Sequence, residues 1–167
     1  MKLLLCVTSL NDVKDFLENS SASLQVHSSF KFLHTTKIHH HEVDVLETGV
    51  GVYQTTYKLT RVLTQQKYHL ALKVGFGNSY KEEIGIGSVL NIVNEKPGDF
   101  GMMLHGEWKD HYDLNLINRE DVPHLRGGFI NLANAYMDVF VPFKKVVGVT
   151  VNNYADKNTF LLRKEKY

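Results

Sequence analysis

The sequence predicts an α/β protein in which helices cover a mixed β-sheet on both sides. Five short, near-continuous apolar runs predict buried strands: Leu3–Val7, Val43–Leu46, Leu70–Val74, Val89–Val93 and Val146–Val151. Between the second and third runs, VYQTTYKLTRVLTQQ carries apolar residues at helical spacing. Such alternation of strand and helix is typical of a three-layer domain.

Two amphipathic patterns supply the predicted helices. The first begins at Asp12, directly after the first strand, and places Val13, Phe16 and Leu17 on one side. The second shows one apolar face and one polar face; its apolar face consists of Val52, Thr56, Leu59, Val62 and Leu63. Each helix is therefore expected to pack one side against the sheet.

Two stretches fit the alternation less well. Leu24–His27 and Ser29–Leu33 could form an antiparallel hairpin, which would make the sheet mixed. Asp99–Pro142 is rich in loop residues and contains the only tryptophan. Loops of this length in a compact domain are usually functional or mobile.

Composition excludes several classes of protein. The chain has 167 residues, with 43% apolar and 22% charged residues and a formal net charge of +1. These values fit one globular domain with no general attraction to nucleic acid or membrane. The N-terminal apolar run is too short for a signal peptide, and no run approaches the length of a membrane span. The sequence therefore predicts a cytoplasmic protein, with its single cysteine, Cys6, buried in an apolar strand.

Three consecutive histidines, His39–His41, suggest a metal site that other features of the sequence do not support. Neighbouring residues of a strand point to opposite faces, so the three side chains cannot all bind one ion. The sequence has no HExxH motif and no pair of cysteines. A polar loop before the strand Val43–Leu46 is the expected structure, and no metal is predicted.

Polar and glycine-rich turns follow three of the predicted strands, where open α/β sheets place their ligands. They are TSLND at 8–12, ETGVGV at 47–52 and KVGFGNSY at 73–80. Asp12 is either a helix cap or first-turn acid, which the helix dipole favours, or a functional carboxylate. Gly49 and Gly51 permit a sharp turn from strand to helix, but the GxGxxG fingerprint of dinucleotide-binding domains is absent.

Six segments, in this order along the chain, resemble the nucleoside phosphorylase/nucleosidase superfamily, and most closely the futalosine hydrolases. The segments are LLLCVTSLNDVKDFLE, VDVLETGVGVYQTTYKLTRVL, LALKVGFGNSY, IGIGSVLNIVNEKPGDFG, GEWKDHYDLNLI and VVGVTVNN. The resemblance implies a three-layer αβα sandwich with a mixed central sheet. It also implies hydrolysis of a purine N-ribosidic bond, with release of hypoxanthine for menaquinone biosynthesis and with no metal or organic cofactor.

The resemblance also implies roles for individual residues. Asp12 matches the carboxylate that activates water, a position usually held by Glu, and Asn11 is the competing match. The substrate-binding positions that it implies are Gly75, Phe76, Gly77 and Ser79 in one turn, and Asn152, Asn153 and Tyr154 in another. A polar turn that caps the following helix is the other interpretation of the second set.

Water is expected as the nucleophile rather than phosphate. Phosphorolysis requires a pocket for a phosphate dianion, which arginine usually provides. None of the four arginines lies in TSLND or KVGFGNSY; they are Arg61, Arg119, Arg126 and Arg163.

The end of the chain gives rise to a further expectation. Family members continue beyond the helix resembling Asp156–Lys166 into strands that carry a ribose-binding Glu and a purine-protonating Asp. The resemblance therefore implies that residues 1–167 form a single nucleosidase-like domain that lacks the last strands and helix. Negligible activity of this chain alone is expected, together with a homo-oligomer or a second chain that completes the fold. A non-catalytic relative that binds a ligand or a partner, and a dinucleotide-binding module, are the alternatives.

Overall fold

The structure, a computed structural model, describes residues 1–131 and 135–152. The chain forms two compact units, Met1–Asn78 and Ser79–Tyr167. The first unit contains five strands, a 3₁₀ helix and two α-helices. They are β1 (Lys2–Val7), the 3₁₀ helix Leu10–Val13, α1 (Lys14–Asn19), β2 (Gln25–Val26), β3 (Leu33–Ile38), β4 (His41–Glu47), α2 (Val52–Leu63) and β5 (Leu70–Lys73).

The five strands of the first unit form one mixed sheet in the order β2-β3-β4-β1-β5. Strand β1 pairs in parallel with both β4 and β5, whereas β2, β3 and β4 pair antiparallel. The predicted mixed sheet is confirmed. The predicted hairpin is wrong in detail, because Ser29–Leu33 is not its second strand. Gln25–Val26 pairs instead with His34 and Thr35, and the intervening residues form the turn.

The two faces of this sheet bury two separate apolar clusters. One cluster contains Val62 of α2, and the other contains Leu17 of α1 and Val13 of the 3₁₀ helix. Alternate residues of each strand supply the two clusters, as the period of two in a strand requires. Leu4, Cys6 and Leu46 belong to the α2 cluster, and Val7, Val43 and Val45 to the α1 cluster. The first unit is therefore a three-layer αβα structure, as predicted.

Both helices bury fewer residues than the sequence pattern predicts. In α2 the inward side consists of Val62, with Leu59 packed against the same cluster, while Val52 and Leu63 are exposed. In α1 Leu17 is buried and Phe16 is exposed. The prediction assigned every apolar residue near the helical period to the core. The structure covers only the narrower stripe that faces the sheet.

The second unit contains smaller sheets. Its strands are β6 (Leu90–Pro97), β7 (Gly101–Leu104), β8 (Glu107–Asp110), β9 (Phe129–Ile130) and β10 (Lys144–Thr150), with a 3₁₀ helix at Met137–Phe140. Strand β6 lies between β10, to which it is parallel, and β9, while β7 and β8 form a separate hairpin. The strands predicted at Val89–Val93 and Val146–Val151 are confirmed with shifted ends. Among the described residues they are only half-buried, not covered on both faces as expected.

An aromatic cluster organises the loop between β8 and β9. The ring of His111, fully buried, stacks on Phe100 at 4.7 Å, and its Nδ1 lies 3.0 Å from the Phe100 carbonyl oxygen. The Tyr112 hydroxyl lies 2.5 Å from Nδ1 of His124. The Asp110 carboxylate accepts from the backbone N–H groups of Tyr112 and Asp113, which closes the turn. Part of the segment that the sequence predicts as loop-rich is therefore locally packed.

The histidines His39 and His40 form the exposed turn before β4, and His41 begins that strand. The predicted polar loop is confirmed for the first two. Within the described residues, no group of three histidine, cysteine or acidic side chains is arranged to hold a metal ion. No helix in the same residues is long and apolar enough to cross a membrane.

Candidate functional site

The carboxyl ends of three adjacent strands meet at one edge of the first unit. Strand β1 runs parallel to β4 and β5, with Val7 opposite Glu47 and Cys6 opposite Lys73. The turns that follow are linked by backbone hydrogen bonds: Gly49 N–H donates to the Thr8 carbonyl at 3.0 Å, and Val74 N–H donates to the Cys6 carbonyl at 2.9 Å. The turns TSLND, ETGVGV and the start of KVGFGNSY therefore lie side by side, where the sequence predicts a ligand.

Asp12 is held at this edge by backbone donors. Its Oδ2 accepts hydrogen bonds from Thr8 N–H at 3.0 Å and Ser9 N–H at 3.1 Å. Ser9 is the N-cap of the 3₁₀ helix, and Asp12 closes a capping box with it. The capping role considered for Asp12 is therefore present. Its second oxygen, Oδ1, accepts no hydrogen bond from any described residue, so the catalytic role stays a prediction.

Asn11, the competing match for the family carboxylate, lies in different surroundings. It is exposed, and it lines a cavity of about 300 Å³ on the α1 side of the unit. The other lining residues are Leu10, Lys14, Leu17, Glu18, Ala22 and Leu24. The Asp12 side chain is bonded into the turn at the carboxyl edge, whereas Asn11 joins the same turn through its backbone N–H, which donates to Ser9 Oγ at 3.3 Å. The match of either residue to the family carboxylate stays a prediction.

The turn after β4 adds a second carboxylate and a lysine. Glu47 Oε1 accepts from Leu10 N–H at 3.2 Å, and Lys58 of α2 donates to the Glu47 carbonyl at 3.0 Å. Gly49 and Gly51 have φ values of +75° and +90°, which strain a residue that carries a Cβ. The expected role of both glycines, a sharp turn from strand into helix, is confirmed.

Lys73 is a site residue that the sequence interpretation missed. Its Nζ donates to Thr8 Oγ1 at 3.2 Å and to the Val74 carbonyl at 3.5 Å. A Cβ placed on Gly75 would lie 3.8 Å from the same nitrogen. The ammonium group therefore touches both the turn after β1 and the turn after β5. The available signal was a lysine at the end of the strand in LALKVGFG, because side chains there lie at the carboxyl edge of the sheet.

Burial shapes the electrostatics around Lys73. Loss of solvent lowers the pKa of the Lys73 ammonium, while Cys6 and Asp12 oppose that change. Burial also raises the pKa of the Cys6 thiol to about 11, although Lys73 lowers it. Cys6 is therefore a neutral, buried thiol near pH 7, as predicted, and is not a nucleophile.

The remaining predicted substrate-binding residues divide between the units. Gly75, Phe76 and Gly77 form an exposed turn in the first unit, and the Phe76 side chain is 90% exposed. Ser79 belongs to the second unit; its hydroxyl accepts from Lys81 N–H and donates to the Lys81 carbonyl, both at 2.9 Å. The Ser79 hydroxyl therefore donates and accepts its hydrogen bonds within its own turn.

The second predicted binding turn follows β10 in the second unit. Asn152 is exposed, and its N–H donates to the Asp99 carboxylate. Nearby, Thr150 Oγ1 donates to Glu95 Oε1 at 2.6 Å. Burial raises the pKa of Glu95, and this hydrogen bond opposes the shift. Asn153 and Tyr154 lie outside the described residues, so their roles remain predictions.

The fold of the chain is that of solved nucleosidases and of a futalosine hydrolase, as the sequence resemblance implies. Three solved structures illustrate the likeness. A futalosine hydrolase mutant of Helicobacter pylori matches with a TM-score of 0.68 and 15% identity, over 99% of this chain and 71% of that chain. An S-adenosylhomocysteine nucleosidase of Streptococcus pyogenes, in complex with 5-methylthiotubericidin, matches with a TM-score of 0.72 and 13% identity. The match covers 100% of this chain and 70% of that chain.

The third is a 5′-methylthioadenosine/S-adenosylhomocysteine nucleosidase of Colwellia psychrerythraea in complex with adenine. Its TM-score is 0.72 and its identity 11%, over 100% of this chain and 69% of that chain. No family model matches the sequence, and no curated protein matches it either. The similarity of this chain to the three named proteins is therefore a similarity of fold.

Proposed function

We propose that this protein is a purine nucleosidase that hydrolyses the N-ribosidic bond of futalosine and releases hypoxanthine, in menaquinone biosynthesis. The fold shared with nucleosidases and a futalosine hydrolase supports the class of reaction. The sequence resemblance supports the particular substrate. Cleavage of this bond passes through an oxocarbenium-like transition state, which nearby negative charge stabilises.

The observation that carries the proposal is the position of Asp12. Two backbone N–H groups hold its Oδ2, which leaves Oδ1 as the acceptor for the proton of an attacking water. A carboxylate held by its own turn supports the role of general base, which requires hydrogen-bond reach of the attacking water. Asp is one methylene shorter than the Glu usual in the family, so its placement by this turn matters for the rate.

The test compares three forms of the protein with futalosine as substrate: the wild type, Asp12→Asn and Asn11→Ala. Hypoxanthine release is measured by chromatography, and binding of hypoxanthine is measured by calorimetry. Residues 1–167 alone are expected to release negligible hypoxanthine, so the rates are compared in the assembly that a second chain completes. In that assembly Asp12→Asn should release the base at least 100-fold more slowly than wild type, the lower range for loss of a general base. Asn11→Ala should keep the wild-type rate, and both variants should still bind hypoxanthine. Equal rates in wild type and Asp12→Asn would rule out Asp12 as the base.

A second candidate function is ligand binding without catalysis. The capping box favours it, because the same hydrogen bonds that hold Asp12 also stabilise the helix start with no need for chemistry. Hypoxanthine binding without base release from futalosine, inosine or 5′-methylthioadenosine would support this candidate. Binding of NAD instead of purine would support the dinucleotide-binding alternative.

A further inference from the structure

The amino ends of β1 and β4 bring two nitrogen atoms together, at the edge of the first unit opposite the candidate site. The two strands are parallel, with Lys2 opposite Glu42, and the Glu42 N–H donates to the Met1 carbonyl at 3.0 Å. The Met1 α-amino nitrogen lies 3.4 Å from Nδ1 of His41, the first residue of β4. Two basic nitrogen atoms at this distance can share a proton, or they can share a metal ion that replaces the proton.

The distance between these nitrogen atoms indicates which metal ion would fit. A tetrahedral ion with metal–nitrogen bonds of about 2.0–2.1 Å, as Zn²⁺ forms, holds two of its nitrogen ligands about 3.3–3.4 Å apart. A square-planar or octahedral ion with bonds of the same length brings neighbouring ligands to about 2.9 Å. The separation of 3.4 Å between the Met1 amine and His41 Nδ1 therefore matches the tetrahedral spacing.

His40 is placed to supply a third donor. Its ring centroid lies 3.9 Å from that of His41. His39 and His40 form the turn between β3 and β4, so the alternation of faces within a strand does not separate the two rings. The His40 side chain is exposed, and exposed side chains change rotamer rapidly, so a ring nitrogen can turn toward an ion held by the first two donors.

We propose that the Met1 amine, His41 and His40 form a zinc site that fastens the start of β1 to the turn between β3 and β4. The fourth position of the tetrahedron is open to water. The amine gives up its proton when the ion binds, and the proton passes to the buffer. The donors are two imidazoles and one amine, a set different from the groups of three side chains that the described residues lack. The site lies at the other end of the strands from Asp12 and does not rest on the proposed function.

Calorimetric titration of the full chain with zinc chloride tests the site. The wild type should bind one zinc ion, and its melting temperature should rise with the zinc concentration. The same titration in buffers of different ionisation enthalpy should show release of about one proton, the one that leaves the amine. Co²⁺ in place of zinc should give the strong visible absorption of a tetrahedral ion rather than the weak absorption of an octahedral one.

Three changes each remove one donor: His41→Ala, His40→Ala and selective acetylation of the α-amine. Each should weaken zinc binding at least about tenfold, because loss of even a group that only orients a metal ligand has an effect of this size. His39→Asn and His105→Asn are the matched controls and should bind zinc as the wild type does. Both are exposed turn residues, with φ of +53° and +52°, a backbone region that asparagine tolerates.

Non-specific binding to a run of histidines is the competing explanation, and it makes the opposite predictions. His39→Asn would then weaken binding as much as His40→Ala does, and acetylation of the amine would have no effect. Either result would overturn the site, as would the absence of zinc binding to the wild type. If His41→Ala fails to fold, the acetylated wild type still decides, since it carries no substitution. None of these measurements uses a nucleoside, so failure of the zinc site leaves the nucleosidase proposal to its own test.

Discussion

Asp12 and Lys73 are two of the charged side chains at the carboxyl edge of the first unit. Asp12 is fixed by Thr8 and Ser9 N–H groups, and Lys73 is fixed by the Thr8 hydroxyl. Thr8 therefore links both, through its backbone on one side and its side chain on the other. The charge at each of these positions depends on the identity of one residue. Asn at 12 or Met at 73 would keep a similar side-chain shape and lose the charge.

Glu95 allows a test of burial by titration. Because burial raises the pKa of Glu95 above its ordinary 4.5, the folded state holds this proton more tightly than the unfolded state does. The free energy of unfolding should therefore fall as pH rises from about 4.5 through the folded pKa. Glu95→Gln removes this contribution, so its melting temperature should exceed that of wild type by more at pH 8 than at pH 4. Glu82→Gln, at an exposed position, is the control; equal differences at both pH values would contradict the assignment.

At the scale of elements, two glycine-containing turns serve different purposes. The turn from β4 into α2 needs glycine for its backbone, because Gly51 has φ +90° and ψ 158°, a region open almost only to glycine. The turn after β5 has no positive φ at Gly75 or Gly77. There glycine leaves space beside Lys73 instead. The same Gly-x-Gly pattern therefore serves the backbone conformation in the turn after β4. In the turn after β5 it leaves space beside Lys73.

Substitution of these glycines by alanine should separate the two roles. Gly51→Ala is expected to lower the free energy of unfolding by about 1–3 kcal/mol, the cost of a residue held in a glycine-only conformation. Gly77→Ala should change it by less than about 0.5 kcal/mol, as for an unconstrained surface position, since a Cβ there meets nothing within 4 Å. Urea denaturation followed by circular dichroism measures both. Equal losses for the two variants would mean that strain at Gly51 is not the cause.

At the scale of the whole molecule, the described part of the second unit leaves apolar side chains exposed on its sheet. Ile92 of β6 and Val147 of β10 are 52% and 48% exposed. Strand β10 pairs with β6 on one side only among the described residues. Exposed apolar residues beside an unpaired strand edge favour association. This surface supports the proposal of a homo-oligomer, with a second copy of the chain as the partner.

Light scattering over a range of concentrations tests this proposal. The wild type should show a mass of at least two chains, and Ile92→Ser should shift the distribution toward monomer by removing apolar area from the contact. Leu116→Ser changes an exposed loop residue outside the sheet, and it should leave the mass unchanged. A monodisperse monomer of the wild type at all concentrations would exclude the homo-oligomer.

Much of the fold could be predicted because the strands carry their own signal. Leu3–Val7 is apolar on both faces, and Val43–Leu46 is apolar apart from the buried Asp44, since each strand lies between two layers. Both strands were located correctly. The helix at 52–63 was located by its period. The pairing partner of Gln25–Val26 was not predicted correctly, because a strand of two residues carries too little pattern to fix its register. The exposure of Val52, Leu63 and Phe16 depends on neighbours that the local sequence does not specify.

The sequence by itself determined the strands at Leu3–Val7 and Val43–Leu46, the helix at 52–63, the buried thiol of Cys6 and the glycine turns, because these depend on local periodicity and backbone preference. It also indicated Asp12, with Asn11 as the competing match. Only the tertiary structure placed the Lys73 ammonium beside the turn after β1. Lys73 is distant in sequence from residues 8 and 12, and parallel pairing of β1 with β5 brings the turns after these strands together. Charges placed together by strand pairing leave no periodic pattern in the sequence.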